Sequence, residues 1–152
     1  MSRKADRRLR RGFTLIELIV VIAVIATLAA VVGPSVFRNA GDAKTSAARS
    51  QIEIFSLALN SFRLDNDVFP STEQGLEALR TLPTMGDAVI NWRGPYVAKT
   101  IPLDPWGRAY LYESPGRANP ASFDLYTFGR DGRAGGVGED ADLTSWGGPV
   151  QP

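Results

Sequence analysis

From Phe13 to Pro34 nearly every position is apolar, and Glu17 is the single charge among 22 residues. A helix of that length rises about 33 Å, enough for a bilayer core of about 30 Å. The pattern then changes. Ala48, Ile52, Phe55, Leu59 and Phe62 recur at steps of 4, 3, 4 and 3, with Arg49, Gln51, Glu53, Ser56, Asn60 and Arg63 opposite. This spacing predicts that the helix continues over 35–64 as an amphipathic one whose stripe packs on a small sheet. Gly33-Pro34 predicts a kink or local melting between the two halves, because proline lacks a donor and clashes with the preceding turn. Gly41 offers a second soft point, and Asp65-Asn66-Asp67 with Phe69-Pro70 ends the helix.

Further along, Ser71-Thr72-Glu73-Gln74 fits a capping box and predicts a short helix carrying Leu76, Leu79 and Leu82. Thr84 to Thr100 has no period and reads as a loop. Leu103-Asp104-Pro105-Trp106-Gly107 is a turn. Alternation predicts strands at Arg108–Glu113, around Tyr110 and Tyr112, at Phe123–Phe128 and at Leu143–Trp146. The class is α+β: a long N-terminal helix, transmembrane in its first half and amphipathic in its second, packed on a small antiparallel sheet.

Charge sharpens this division. Residues 1–12 hold six basic side chains against Asp6, a net of +5, while the rest of the chain holds 11 basic and 15 acidic groups, a net of −4. The positive-inside rule keeps the basic segment cytoplasmic and sends the remainder across. The apolar run exceeds the roughly 7–15 residues of a secretory signal core, and more apolar sequence follows Ala29-Ala30. A plain signal-anchor gives no reason for Glu17, whose carboxylate would cost up to about 2.5–3.5 kcal/mol at full membrane depth. The chain contains neither cysteine nor histidine. Disulfides, thiol nucleophiles, histidine-metal centres and Ser-His-Asp relays are thereby excluded.

Arg11-Gly12-Phe13-Thr14-Leu15-Ile16-Glu17 resembles the class III signal of type IV pilins and pseudopilins. The resemblance implies cleavage between Gly12 and Phe13 by a prepilin peptidase and N-methylation of Phe13. It also implies that Phe13, Glu17 and Pro34 serve assembly, with Glu17 pairing with the terminal ammonium of a neighbouring subunit. The domains expected are a cleaved basic leader at 1–12, a transmembrane and assembly helix at 13–37, and a periplasmic pilin-like domain at 38–152.

Phe69-Pro70-Ser71-Thr72-Glu73-Gln74-Gly75-Leu76, Asp104-Pro105-Trp106-Gly107, Ser114-Pro115-Gly116 and Phe123-Asp124-Leu125-Tyr126 are similar to the major pseudopilins of type II secretion systems. What this implies is a structural subunit of a homopolymeric pseudopilus, anchored once in the inner membrane of a Gram-negative bacterium with its C-terminal domain in the periplasm. The partners implied are further copies of the chain, minor pseudopilins, an inner-membrane platform protein and the prepilin peptidase, with no nucleic acid. The alternative is the major subunit of a type IV pilus or a DNA-uptake pseudopilus; such pilins often close a C-terminal loop with a disulfide, which this chain cannot form.

Between the last two strands, residues 129–142 are rich in glycine and carry Asp131, Glu139, Asp140 and Asp142 against Arg130 and Arg133. Hard oxygen ligands on a bendable backbone suit calcium, although composition alone favours a solvated acidic loop. The resemblance implies a calcium site here. Asp131-Gly132 matches one family element, and Asp142 matches the second aspartate of the acidic element before the last strand. Asp140 would stand in for the first, because Ala141 separates the two carboxylates. Glu139 and the main-chain carbonyl of Phe128 are further candidates. Catalytic signatures are missing: no Gly-x-Ser-x-Gly, P-loop or dinucleotide fingerprint occurs. Asp65, Asp67 and Glu73 lie at a helix end and a cap, where acids are favoured without catalysis.

Overall fold

The computed structural model describes residues 13–150, with residues 32–39 described by their backbone alone. The chain divides after Asn39 into two compact units. Helix α1 runs Leu15–Asn66, 52 residues without interruption through Gly33-Pro34. The local melting expected there is not found: a proline removes one donor, and the helix continues on the hydrogen bonds around it. In the first unit the apolar side chains from Leu15 to Val31 are all exposed. Among the described residues no helix is long and apolar enough to cross a membrane. Described side chains of the apolar run stop at Val31, and residues 32–37 of the expected span lie outside them.

In the unit beginning at Ala40, the stripe read from spacing is the core. Ala48, Ile52, Phe55, Leu59 and Phe62 are each 2% exposed or less. They pack with Leu76, Leu79, Tyr110, Phe123, Leu125 and Leu143. Phe55 meets Tyr110 edge-on with ring centroids 5.5 Å apart, a favourable aromatic geometry. The helix stops where Asp67 takes a positive φ of 63°.

The three strands are shorter than alternation suggested: β1 Leu111–Glu113, β2 Asp124–Thr127 and β3 Leu143–Thr144. They form one antiparallel sheet in the order β1-β2-β3, with Tyr112 opposite Leu125 and Thr127 opposite Leu143. The capping box forms as expected. Ser71 N–H donates to Gln74 Oε1 at 3.0 Å and Gln74 N–H to Ser71 Oγ at 3.3 Å. It opens a turn instead of an α-helix, because Gly75 at φ 59° redirects the backbone, and only a 3₁₀ segment, Leu76–Leu79, follows. Leu76 and Leu79 are buried, but Leu82, expected on the same stripe, lies beyond that segment and is exposed.

The irregular stretch from Thr84 to Thr100 is tied down by side chains. Trp92 Nε1–H donates to Ala78 O at 2.9 Å, and the Tyr96 hydroxyl donates to Asp65 Oδ2 at 2.9 Å. Two buried carboxylates hold the turns around the sheet. Asp124 accepts from Ala118 N–H, Asn119 N–H and Asn119 Nδ2. Asp104 accepts from Trp106 N–H and Arg108 N–H through Oδ1 and from the Thr127 hydroxyl through Oδ2. Buried charges persist only when they are hydrogen-bonded this fully.

Candidate functional site: helix start and acidic loop

Gly12 of the expected processing site lies outside the described residues, and so does the side chain of Pro34. Phe13 and Glu17 are both described and exposed. Glu17 has local work that the apolar run concealed. Thr14 N–H and Thr14 Oγ1 donate to Glu17 Oε2 at 3.0 and 3.1 Å, and Glu17 N–H donates back to Thr14 Oγ1 at 3.2 Å. This is a second capping box, Thr-x-x-Glu, at the start of α1, satisfying donors that have no partner within the helix. The signal for it was present in the sequence as a threonine three residues before a glutamate.

The acidic loop leaves the sheet at Phe128, the first residue past β2, and returns at β3. At its entrance Gly129 takes a φ of +64°, and a Cβ there would lie 2.6 Å from Glu139 O and 2.7 Å from Ala141 O, so the two ends of the loop approach closely. Arg108, on the turn fixed by Asp104, reaches the same place. Its Nη1 donates to Gly129 O and its Nη2 to Arg130 O at 2.6 Å. A short 3₁₀ turn, Gly138–Asp140, precedes the last strand.

The carboxylates predicted to converge on a metal are instead distributed. Asp131 Oδ1 accepts from Arg133 N–H at 3.0 Å. Asp140 is held by Arg130 through two parallel bonds, Nε to Oδ1 and Nη2 to Oδ2, each 2.9 Å. Glu139 Oε1 lies 4.0 Å from Arg130 Nη1, and its carboxylate occupies the space that a Cβ on Gly41 would need. Asp142 Oδ2 accepts from Gly135 N–H at 2.9 Å. Its Oδ1 is buried and has no hydrogen-bond partner. Asp142 also lines an open groove of about 600 Å³ with Arg49, Glu53, Gly135 and Gly136. Among the described residues no three acidic side chains gather closely enough to hold a metal. Asp140, first through its hydrogen bonds and then through its charge, pushes the Arg130 guanidinium above its ordinary pKa. Sequence reasoning missed the pairing of Arg130 with Asp140 and the reach of Arg108 to the loop, because these partners lie 10 to 22 residues apart.

The chain as a whole is similar to known proteins. Residues 35–146 match the family described as type II secretion system (T2SS), protein G, and residues 7–33 match the prokaryotic N-terminal methylation motif. The type II secretion system core protein G of Pseudomonas aeruginosa is 44% identical over 141 residues, 93% of this chain and 98% of that protein. Its counterpart from Vibrio cholerae is 41% identical over 91% of this chain and 93% of its own length. The crystal structure of the major pseudopilin from the type 2 secretion system of enterohaemorrhagic Escherichia coli superposes with a TM-score of 0.59 at 34% identity. It covers 71% of this chain and 90% of that one. With a long capped helix, a three-stranded sheet and a family match over residues 35–146, this chain belongs to the type II secretion system protein G family.

Proposed function

We propose that this chain is the major structural subunit of a type II secretion pseudopilus, inserted in the inner membrane by the first half of α1 and polymerising through it. Growth of such a filament from the membrane drives folded proteins across the outer membrane. The observation that carries the reading is the relation to core protein G, which extends over 98% of the Pseudomonas relative. The exposed apolar side chains of Leu15 to Val31 agree with it, since an all-round apolar helix needs lipid or other helices as its surroundings. Cleavage between Gly12 and Phe13, followed by methylation of Phe13, agrees with the methylation motif over residues 7–33. In a host whose own major pseudopilin gene is deleted, this chain should restore export and yield a mature species of intact mass beginning at N-methyl-Phe13. A species beginning at Met1, or export that stays at the deletion level, contradicts the reading.

Calcium belongs to the same proposal. The orphaned Asp142 Oδ1 suits a hard cation, because a buried carboxylate oxygen without a donor is otherwise costly. Asp131, Asp142 and carbonyls of the loop, Phe128 among them, would hold the ion. Its charge would supply a link between the loop and the start of β3. The chain's own residues prepare the place: Gly129 brings the loop ends together, Arg108 fixes two of its carbonyls, and Gly135 N–H orients Asp142. Asp140 does not fit the ligand role in this arrangement, because both of its oxygens are engaged by Arg130.

A further inference from the structure

Arg130 is held at three points. Its side chain forks onto Asp140, its N–H donates to Glu139 O at 2.8 Å, and its carbonyl accepts from Arg108 Nη2. Planar guanidinium matches a carboxylate in this two-bond geometry better than any other side chain does. The pair joins the entrance of the acidic loop to the turn before β3, ten residues on. Calcium would bridge the same two ends.

We propose that Arg130 is a resident cation that closes the acidic loop by holding Asp140, and that it competes with calcium for that carboxylate. The inference rests on the calcium reading of the loop and deepens it. Asp140 is then the latch of the metal-free loop, while Asp131 and Asp142 are the carboxylates left to the ion. Two consequences follow from charge alone. A guanidinium beside the loop repels an arriving divalent cation, and removing it frees a third carboxylate for the cation. The latch also keeps Glu139 near Gly41, on the helix, and away from the other acids.

The test uses the full-length chain in detergent, stripped of metal, with Arg130→Gln, Asp140→Asn, the double variant and Asp142→Asn. Calcium chloride is titrated by calorimetry, and melting is followed in excess chelator. Wild type should bind calcium, Asp142→Asn should not, and Arg130→Gln should bind about tenfold more tightly than wild type. Adding Asp140→Asn to Arg130→Gln should erase that gain. In chelator each single variant should melt lower than wild type, and the double variant no lower than the weaker single, since one interaction is lost in all three. An Arg130→Gln affinity equal to or weaker than wild type overturns the competition, and strictly additive losses in chelator overturn the latch. If neither wild type nor Arg130→Gln takes up calcium, the calcium reading falls and the competition with it. The chelator series still decides separately whether the pair closes the loop.

Discussion

Residues 15–31 and residues 48–62 belong to the same helix, and their apolar side chains meet opposite fates. In the second stretch five apolar residues on one stripe are buried almost completely, and the remaining faces expose Arg49, Glu53 and Asn60 together with Ile54 and Leu57. In the first, Val24 and Ile25 are each more than half exposed, as are Leu15, Leu18, Ile22 and Leu28 around the remaining faces. A small domain can cover one stripe of a helix, as it does at Ala48, Ile52, Phe55, Leu59 and Phe62, while Ile54 and Leu57 off that stripe stay exposed. An apolar surface all the way round cannot be covered by a single small domain and calls for an environment made of lipid or other helices. Stability is thus written in one half of the element, and the proposed assembly role belongs to the other.

The difference can be broken most severely at Phe62. Phe62→Ala should cost about 3–5 kcal/mol of folding stability through lost burial and the cavity left behind, read by chemical denaturation of the full-length chain in detergent. Ile25→Ala, an equally apolar truncation in the first half, should move the same transition by less than about 0.5 kcal/mol. Asp104→Ala comes next. It strands the Thr127 hydroxyl and the N–H groups of Trp106 and Arg108, and should cost about 2–3 kcal/mol. Because Arg108 would lose its fixed turn, the calcium binding proposed for the loop should weaken as well.

A smaller effect is expected at alkaline pH. Burial, helped by the Asp104 charge, pushes the Tyr110 phenol up to about 12 from an ordinary 10. The folded state therefore keeps this proton more firmly than the unfolded one. The corresponding stability is complete below pH 10 and is lost as pH rises toward 12. Tyr110→Phe should flatten that alkaline decline in a pH series of thermal melts. The smallest effect belongs to Leu64, apolar but 84% exposed on the amphipathic half. Leu64→Gln should stay within about 0.5 kcal/mol of the parent, in contrast to Phe62 two positions away.

What could be read from the chain follows from the range of the interactions involved. The stripe at Ala48, Ile52, Phe55, Leu59 and Phe62 was legible because helical periodicity is local and strong, and all five are buried. Strand positions were legible from alternation, but their lengths were not: Tyr110 alternates with Tyr112 and is buried, yet β1 begins only at Leu111. The capping box at Ser71 was read correctly, while Gly75, which turned the expected helix into a 3₁₀ segment, was not weighed. The acidic loop was identified by composition and resemblance, but its internal pairing was not. Nothing in the spacing says that Arg130 takes Asp140, or that Asp104 receives the hydroxyl of Thr127, 23 residues away. Such pairs are decided by how turns bring distant residues together.

Glu17 is where the two roles of the helix can be separated in one measurement. Its carboxylate caps the first turn of α1, and the assembly reading additionally requires its charge. Glu17→Gln keeps an acceptor for Thr14 and removes only the charge, since glutamine also serves at this position of a capping box. The direct measurement is filament formation by the Glu17→Gln chain in cells, scored by electron microscopy of overproduced filaments beside the amount of processed protein in the inner membrane. The account predicts normal processing and membrane levels with filaments absent. Filaments at the wild-type level would mean that capping alone explains Glu17, and would contradict the assignment of assembly to this half of the helix.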